Sequence, residues 1–270
     1  MIAHPFYMKS RQAGDTGTRT SIFRNNMQNR GDSAVTDDRV VDDGLPRSCR
    51  FCTTRTGLCR TLNRSQLRHM TETAVRRRME SGCELTSVNA GEHFALIHSG
   101  IVRLSKLLRD GRQQIVALRS NPDMIGQPYF YEAELSFRAV TDVEICLVPR
   151  MVMENLIEEN RALERFLYCR ALEEINEARD LLLALGRKSS RERVATFILH
   201  IAGLAKAYPL HSGELELPLS RSEIADFLGL TLETVSRQFS AFKREGILEI
   251  TNARRLVVLD AKRLHMAAST

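Results

Sequence analysis

The sequence predicts an α+β chain: an N-terminal antiparallel β-roll, one long helix and a C-terminal winged helix-turn-helix. Three observations carry this. Between residues 83 and 149, short β-type runs alternate with turn residues at close spacing. From 150 to 185 the apolar period becomes helical, and from Arg161 to Leu185 there is neither Gly nor Pro. From 220 to 248 two short amphipathic stretches flank Gly229, and β-type runs border and follow them.

Residues 1–46 are polar and aperiodic, with few β-branched or aromatic side chains, and read as a mostly disordered extension in which Met8 and Met27 are alternative starts. The segment SCRFCTTRTGLC follows. Its Cys49, Cys52 and Cys59 are separated by two and six residues. Such spacing lets one loop bring three thiolates to one metal centre, with Leu58 as a shield beside the third. A fourth ligand must come from elsewhere. Tetrathiolate suits zinc and iron–sulfur alike, and chance clustering in a loop is the plain alternative. Residues 61–80 carry a helical stripe of Leu62, Leu67, Met70, Ala74 and Val75, with Asn63 or Ser65 as cap.

In the β-type region, the runs 101–107 and 113–118 flank Asp110-Gly111, a strong hairpin signal. Further turns fall at Asn89-Ala90-Gly91, Ser99-Gly100 and Asn121-Pro122-Asp123. Short strands at this spacing make a small antiparallel roll. The last run is AVTDVEICLVP; Cys146 is expected at the strand end before Pro149, and taken alone reads as a small core residue.

In the long helix Tyr168, Ala171, Ile175, Ala178, Leu182 and Leu185 recur at intervals of three and four, a heptad-like seam. Leu163, Phe166, Leu167 and Leu172 form a second apolar face. A helix apolar on two faces packs on its own domain and on a twin, so dimerisation is expected; complete burial within one chain is the alternative. Gly186 and the polar run RKSSRER end it. The expected domains are therefore 1–46 (extension), 47–149 (cysteine loop and roll), 150–186 (dimerisation helix) and 187–270 (winged helix).

In the last domain, Val194, Ala195, Phe197, Ile198, Ile201, Ala202 and Leu204 give a helix over 191–208, and residues 214–217 a short strand. Ser220 with Glu223 is a capping box, followed by Ile224, Ala225 and Leu228 on one face. Gly229 ends that helix and Thr231 caps the next. Val235, Phe239 and Phe242 form the back of the second helix, while Glu233, Thr234, Ser236 and Arg237 lie near its start. A helix-turn-helix reader of DNA needs such an apolar back and polar front. The runs 247–250 and 256–259 form a hairpin wing with Arg254 and Arg255 at its tip.

The 270 residues suffice for two domains, and 43% hydrophobic with 27% charged residues is a globular composition. Without an apolar run of membrane length or a signal-peptide core, the chain is expected to be cytoplasmic, with no membrane partner. Net charge is +6, and residues 187–270 hold 13 Lys and Arg against 9 Asp and Glu, which suits a polyanion. In that compartment the six cysteines are not expected to form structural disulfides. No nucleophile or acid–base constellation stands out, so no enzyme is expected.

Taken in order, cysteine loop, roll, seam helix and winged helix resemble the CRP/FNR superfamily of bacterial transcription regulators over residues 49–260, closest to its FNR-type (FixK- and FnrN-like) members. LGLTLETVSRQFSAFKREGIL is similar to the family's helix-turn-helix, and RKSSRERVATFIL to the start of its DNA-binding domain. The resemblance implies a cupin-like, cyclic-nucleotide-binding-like roll. It also implies that Cys49, Cys52, Cys59 and Cys146 bind a [4Fe-4S] cluster attacked by oxygen. The cluster-loaded form would dimerise along the long helix, bind TTGAT-type palindromes through Glu233, Ser236 and Arg237, and work with RNA polymerase.

The sequence departs from the FNR pattern in two places. The gap from Cys52 to Cys59 is one residue longer, and Ala178 stands where the pattern has an acidic seam residue, which predicts a dimer less easily separated by cluster loss. DMIGQPYFYEAELSFRAV lacks the Gly-Glu and Arg-Ser pairs of cyclic-AMP-binding relatives, with Gln127 replacing the acid, so no cyclic nucleotide is expected.

At the DNA, Arg237 can make two hydrogen bonds to a guanine edge and Glu233 can accept from a cytosine amino group; Ser236 discriminates less. Ser222, Thr231, Lys243 and Arg244 suit phosphates, or are merely solvated. A two-fold dimer predicts half-sites about one helical turn apart. Two other readings stand beside this one: the same DNA function with a zinc or thiol-redox sensor, and an electron-transfer iron–sulfur protein. Cys83 and Cys169 are expected in the core or an interface, with Cys169 oxidisable near the seam.

Overall fold

The computed structural model describes residues 57–126, 128, 129, 135–205 and 214–269. The expected extension, Cys49, Cys52 and Gln127 lie outside them.

The described chain begins with a 3-10 turn, Gly57–Arg60, and helix α1, Arg64–Thr73. Asn63 caps α1: its side chain accepts from the Gln66 amide at 2.9 Å, and the Gln66 side chain accepts from the Asn63 amide at 3.3 Å. The helical stripe expected over 61–80 stops early. Ala74 is extended, and Val75–Met79 is strand β1, paired antiparallel with β7 (Val143–Pro149). Its partner lies far away in sequence: Arg76 reaches Glu144 at 2.7 Å across the ladder. Local periodicity cannot weigh such a partner.

The roll also contains α2 (Thr86–Asn89), β2 (His93–Ser99), β3 (Ile101–Leu107), β4 (Gln113–Ser120), β5 (Met124–Ile125) and β6 (Leu135–Ala139). Among the described residues two antiparallel sheets result, ordered β1-β7-β2-β5 and β4-β3-β6. Gly100 joins β2 to β3 at φ +85°; a Cβ there would sit 2.3 Å from the Asp142 carbonyl oxygen, so only glycine fits. Alternation divides each strand between two cores. Ala95, Ile97, Ile145 and Leu147 join Phe137, Val102 and Ile125 in one cluster. Phe94, Leu96 and Val148 face the helices, against Leu67, Met70, Met153, Leu156 and Leu163.

The long helical stretch is two helices, α3 (Arg150–Glu159) and α4 (Arg161–Arg187). Asn160 breaks it. With φ −131° and ψ 95°, its side chain accepts from the amides of Ala162 and Leu163 and starts α4 afresh. The run read as continuous from 150 to 185 is thus corrected by one side chain that competes with the helix for its own backbone.

The last third holds α5 (Ser190–Ala205), β8 (Glu214–Glu216), α6 (Arg221–Leu228), α7 (Leu232–Arg244), β9 (Leu248–Ile250), β10 (Arg255–Val258) and α8 (Ala261–Ser269). A sheet ordered β8-β10-β9 carries the wing. Val194, Phe197, Ile224, Phe227, Val235, Phe239, Phe242, Leu256 and Leu264 fill its core, and Ile101, Ile115, Leu118 and Val140 of the roll belong to the same cluster. Among the described residues no helix is long and apolar enough to cross a membrane.

Candidate nucleic-acid interface and cysteine site

The reader is built from caps. Ser220 Oγ accepts from the Glu223 amide at 3.3 Å, while Glu223 Oε2 accepts from the Ser220 amide at 2.9 Å. Gly229, at φ 59° and ψ 42°, ends α6 in the left-handed region, and its amide donates to the Ala225 carbonyl. A Cβ on Gly229 would come within 3.3 Å of Leu185 Cδ2. The turn is therefore also where the end of α4 abuts the reader. Thr231 then caps α7, accepting from the Thr234 amide at 3.2 Å.

On α7, Val235, Phe239 and Phe242 are buried, whereas Glu233, Ser236, Arg237, Lys243 and Arg244 are exposed. Thr234 is half-buried and bridges: its hydroxyl lies 3.1 Å from the Thr231 hydroxyl and accepts from Arg237 Nη2 at 3.2 Å. Backbone and Thr231 hydrogen bonds, with Arg237 nearby, hold the Glu233 carboxyl below its ordinary range. Glu233 is thus an acceptor only, and Arg237 a donor only, one helical turn apart. Ser222 is exposed at the start of α6. In the wing, Arg254 Nη1 donates to the Pro218 carbonyl at 3.3 Å and Arg255 begins β10, so the two arginines expected at the tip are not equivalent.

Two arginines that fix the reader escaped sequence reasoning. Arg221 lies 3.3 Å over the Phe239 ring, and burial pulls its pKa down to about 10. Arg191 lies 4.5 Å over Phe242 and is bidentate to Glu245, at 2.8 and 2.6 Å. Neither follows a spacing rule, because each pairs elements that meet only in the folded domain.

At the other end of the chain, Cys59 stands on the 3-10 turn and Cys146 in β7, both half-buried. Cys146 is mid-strand, between Arg76 of β1 and Leu96 of β2. The expected strand-end position is corrected: β7 runs on to Pro149, because its last residues pair with β2. Both cysteines pack on the apolar cluster that includes Leu58 and the α4 residues Leu163, Phe166 and Leu167. Asn160 adds a polar link. Its Nδ2 donates to the Thr61 carbonyl at 2.9 Å and to Gln66 Oε1 at 2.8 Å, while its Oδ1 caps α4. Among the described residues no three His, Cys, Asp or Glu side chains form a metal-sized group. The two further candidates, Cys49 and Cys52, lie outside them. The donor chemistry fits a thiolate-held metal or cluster, with Cys59 and Cys146 on one apolar wall.

Along α4, Tyr168, Ala171, Ile175, Ala178 and Leu182 are exposed, and Leu185 is half-buried under the Gly229 turn. Complete burial of the seam within one chain is therefore excluded. Leu172, read as part of the inner face with Leu163, Phe166 and Leu167, is 43% exposed instead. Cys83 and Cys169, expected in a core or interface, are both exposed: Cys83 follows the Gly82 turn, and Cys169 points away from the buried side of α4.

A model of the cyclic nucleotide-binding domain matches residues 76–160, and one of the Crp-like helix-turn-helix domain matches residues 192–267. A probable transcriptional activator of Rhizobium leguminosarum bv. viciae is 41% identical over 237 residues, covering 87% of this chain and 99% of that protein. The chain belongs to the CRP/FNR family of transcription regulators. Within the family, the nitrogen fixation regulation protein FixK of Bradyrhizobium diazoefficiens is 34% identical over 223 residues, which is 82% of this chain and 94% of that one. The solved structure of FixK2 from Bradyrhizobium japonicum superposes with a TM-score of 0.66 at 34% identity, covering 73% of this chain and 98% of that one. The roll, long helix and winged helix-turn-helix are the family's fold, and the chain is a DNA-binding regulator rather than an enzyme.

Proposed function

We propose that this chain is an oxygen-responsive transcription activator that binds TTGAT-type palindromes as a homodimer and works with RNA polymerase. Its sensor would be a [4Fe-4S] cluster on Cys49, Cys52, Cys59 and Cys146. One observation carries the sensor reading: Cys59 and Cys146 share an apolar cluster with the first turns of the seam helix. When bound, such a cluster would supply an oxygen-labile tie between the cysteine loop and the first sheet. The residues themselves do the rest. Holding Cys59 against β7 holds the 3-10 turn, and Asn160 passes that constraint from Thr61 to the cap of α4. The exposed seam of α4 then meets its twin, and Arg237 and Glu233 read base edges in each half-site.

The zinc or thiol-redox reading rests on the same thiolates, which suit either metal. Electron transfer is set aside, because the relatives are transcription regulators. No cyclic nucleotide enters the reading. The test is DNA binding by anaerobically purified protein, repeated after air exposure, with absorbance, iron and sulfide recorded alongside. About four irons and four sulfides per chain, with loss of palindrome binding in air, support the proposal. Zinc without sulfide, or air-indifferent binding, overturns it.

A further inference from the structure

The roll grips the reader through polar contacts that DNA reading does not use. Arg103 on β3 is 6% exposed, and its Nη1 lies 3.2 Å from Glu223 Oε1. Glu223 belongs to the capping box of α6, where its other oxygen serves Ser220. From the neighbouring strand, Gln113 Nε2 donates to Asp226 Oδ2 at 2.8 Å, and Gln114 Nε2 donates to the Phe227 carbonyl at 3.1 Å. Residues of one hairpin thus hold three successive sites along one short helix. Apolar contact alone would suffice for adhesion, since Ile101, Ile115 and Leu118 already share a core with Ile224 and Phe227. A buried guanidinium is a poor glue: Arg103 Nε and Nη1 have no aligned hydrogen-bond partner. What a charged contact adds over an apolar one is a fixed direction and register.

We propose that Arg103, Gln113 and Gln114 are positioning residues for DNA recognition. They lock the first helix of the reader to the roll of its own chain, and so set the separation of half-sites that a dimer accepts. The proposal rests on the two-fold reading above. The reader is also attached through that apolar core and through the short link after α4, where Arg193 donates to the carbonyls of Leu185, Lys188 and Leu228 at 2.6, 2.9 and 3.0 Å. Non-directional apolar contact beside a link leaves room to swivel, whereas directed polar contacts away from the link define an orientation. Each base pair inserted between half-sites turns the second by about 35° and moves it by about 3.4 Å. A fixed head accepts one separation, and a swivelling head accepts several.

The experiment measures binding of the full chain to palindromes whose half-site separation is shortened or lengthened in single-base-pair steps. Arg103→Met removes the charge at similar volume. Gln113→Ala with Gln114→Ala removes the other two contacts from partly exposed strand positions, and so keeps the test alive if the first variant folds poorly. Both variants are expected to keep the wild-type preference for half-site sequence. Their penalty for adding or removing one base pair should shrink by about tenfold, the scale of one polar contact to a charged group. Arg103→Lys, which keeps the charge, should recover most of the selectivity. An unchanged separation profile in both variants overturns the proposal. So does a wild type without a preferred separation: if it sediments on DNA as a dimer, only the positioning role has failed, and if it binds one chain per site, the two-fold reading has failed with it.

Discussion

The two helices on which function turns are held in opposite ways. α7 has 13 residues and buries Val235, Phe239 and Phe242. α4 has 27 residues and buries only Leu163 and Ala184. The short helix is finished within one chain: its back is packed, its start is capped by Thr231, and Arg221 and Arg191 lie on its buried rings. The long one fully buries side chains only near its two ends; between them Arg119 and Asp123 of the roll pair with its Glu177 and Arg170 on one face, while the other face carries a bare apolar stripe, with Tyr168 64% and Leu182 67% exposed. A contiguous apolar stripe of that kind marks an interface. The difference teaches where each substitution should be felt: in α7 at the bases, in α4 in the association state.

The sharpest way to break that contrast is to charge the stripe. Ile175→Glu with Leu182→Glu should leave the folded chain intact and abolish the dimer in sedimentation. Palindrome affinity should then fall to that of a single half-site, a loss of about 100-fold or more. Unchanged association would mean that the bare face of α4 is not the dimer face. Next in size, Arg237→Ala should cost about 1–3 kcal/mol of discrimination at one base pair without changing association. A binding-selection assay that returns the same preference at every half-site position would remove Arg237 from that role. Smaller again is Ala178→Asp. Two carboxylates facing each other across the seam should weaken the oxidised dimer by about tenfold relative to the oxidised wild type. Equal monomerisation in sedimentation would show that position 178 does not set the dimer's tolerance.

Legibility in the sequence followed the range of the forces. The reader was plain because caps and turns act over three or four residues: Ser220 with Glu223, Gly229 and Thr231 each sit where local chemistry requires. The hairpin at Asp110-Gly111 was legible for the same reason. Asn160 was hidden inside a helical pattern, since the period of apolar residues runs on through it while its side chain ends α3 and starts α4. β1 continues the helical period of residues 61–80, and only a partner strand remote in sequence makes it a strand. In the sequence Arg103 is one polar residue within an apolar run; only the approach of α6 makes it a buried partner of Glu223. For the cysteines, the cluster was visible in the loop, but the shared wall behind Cys59 and Cys146 is a property of the packed roll.

The smallest effect concerns how α4 is joined to what surrounds it. His200 on α5 is desolvated, which lowers its pKa from the ordinary 6.5; Arg119 lowers it further, and Glu177 of α4 opposes them. Arg119 in turn holds Glu177 at 2.7 Å, so strand β4 and helices α4 and α5 meet at one charged site. The folded-state pKa of His200 lies below the unfolded value, so on acidification the unfolded chain takes the proton first. The contribution of His200 is therefore complete above pH 6.5 and is lost as pH falls below it. Burial raises Asp123 and Glu174 at the same site, and their protonation favours the folded chain as pH falls through their raised values, with the opposite sign. His200→Gln separates the two. At fixed protein concentration, urea unfolding from pH 7.5 to 5.5 should show stability falling less in the variant than in the wild type, with a difference in slope of at most about 1.4 kcal/mol per pH unit. Parallel curves would mean that His200 is already as hydrated in the fold as in the open chain, and that the junction holding α4 to its neighbours is wet.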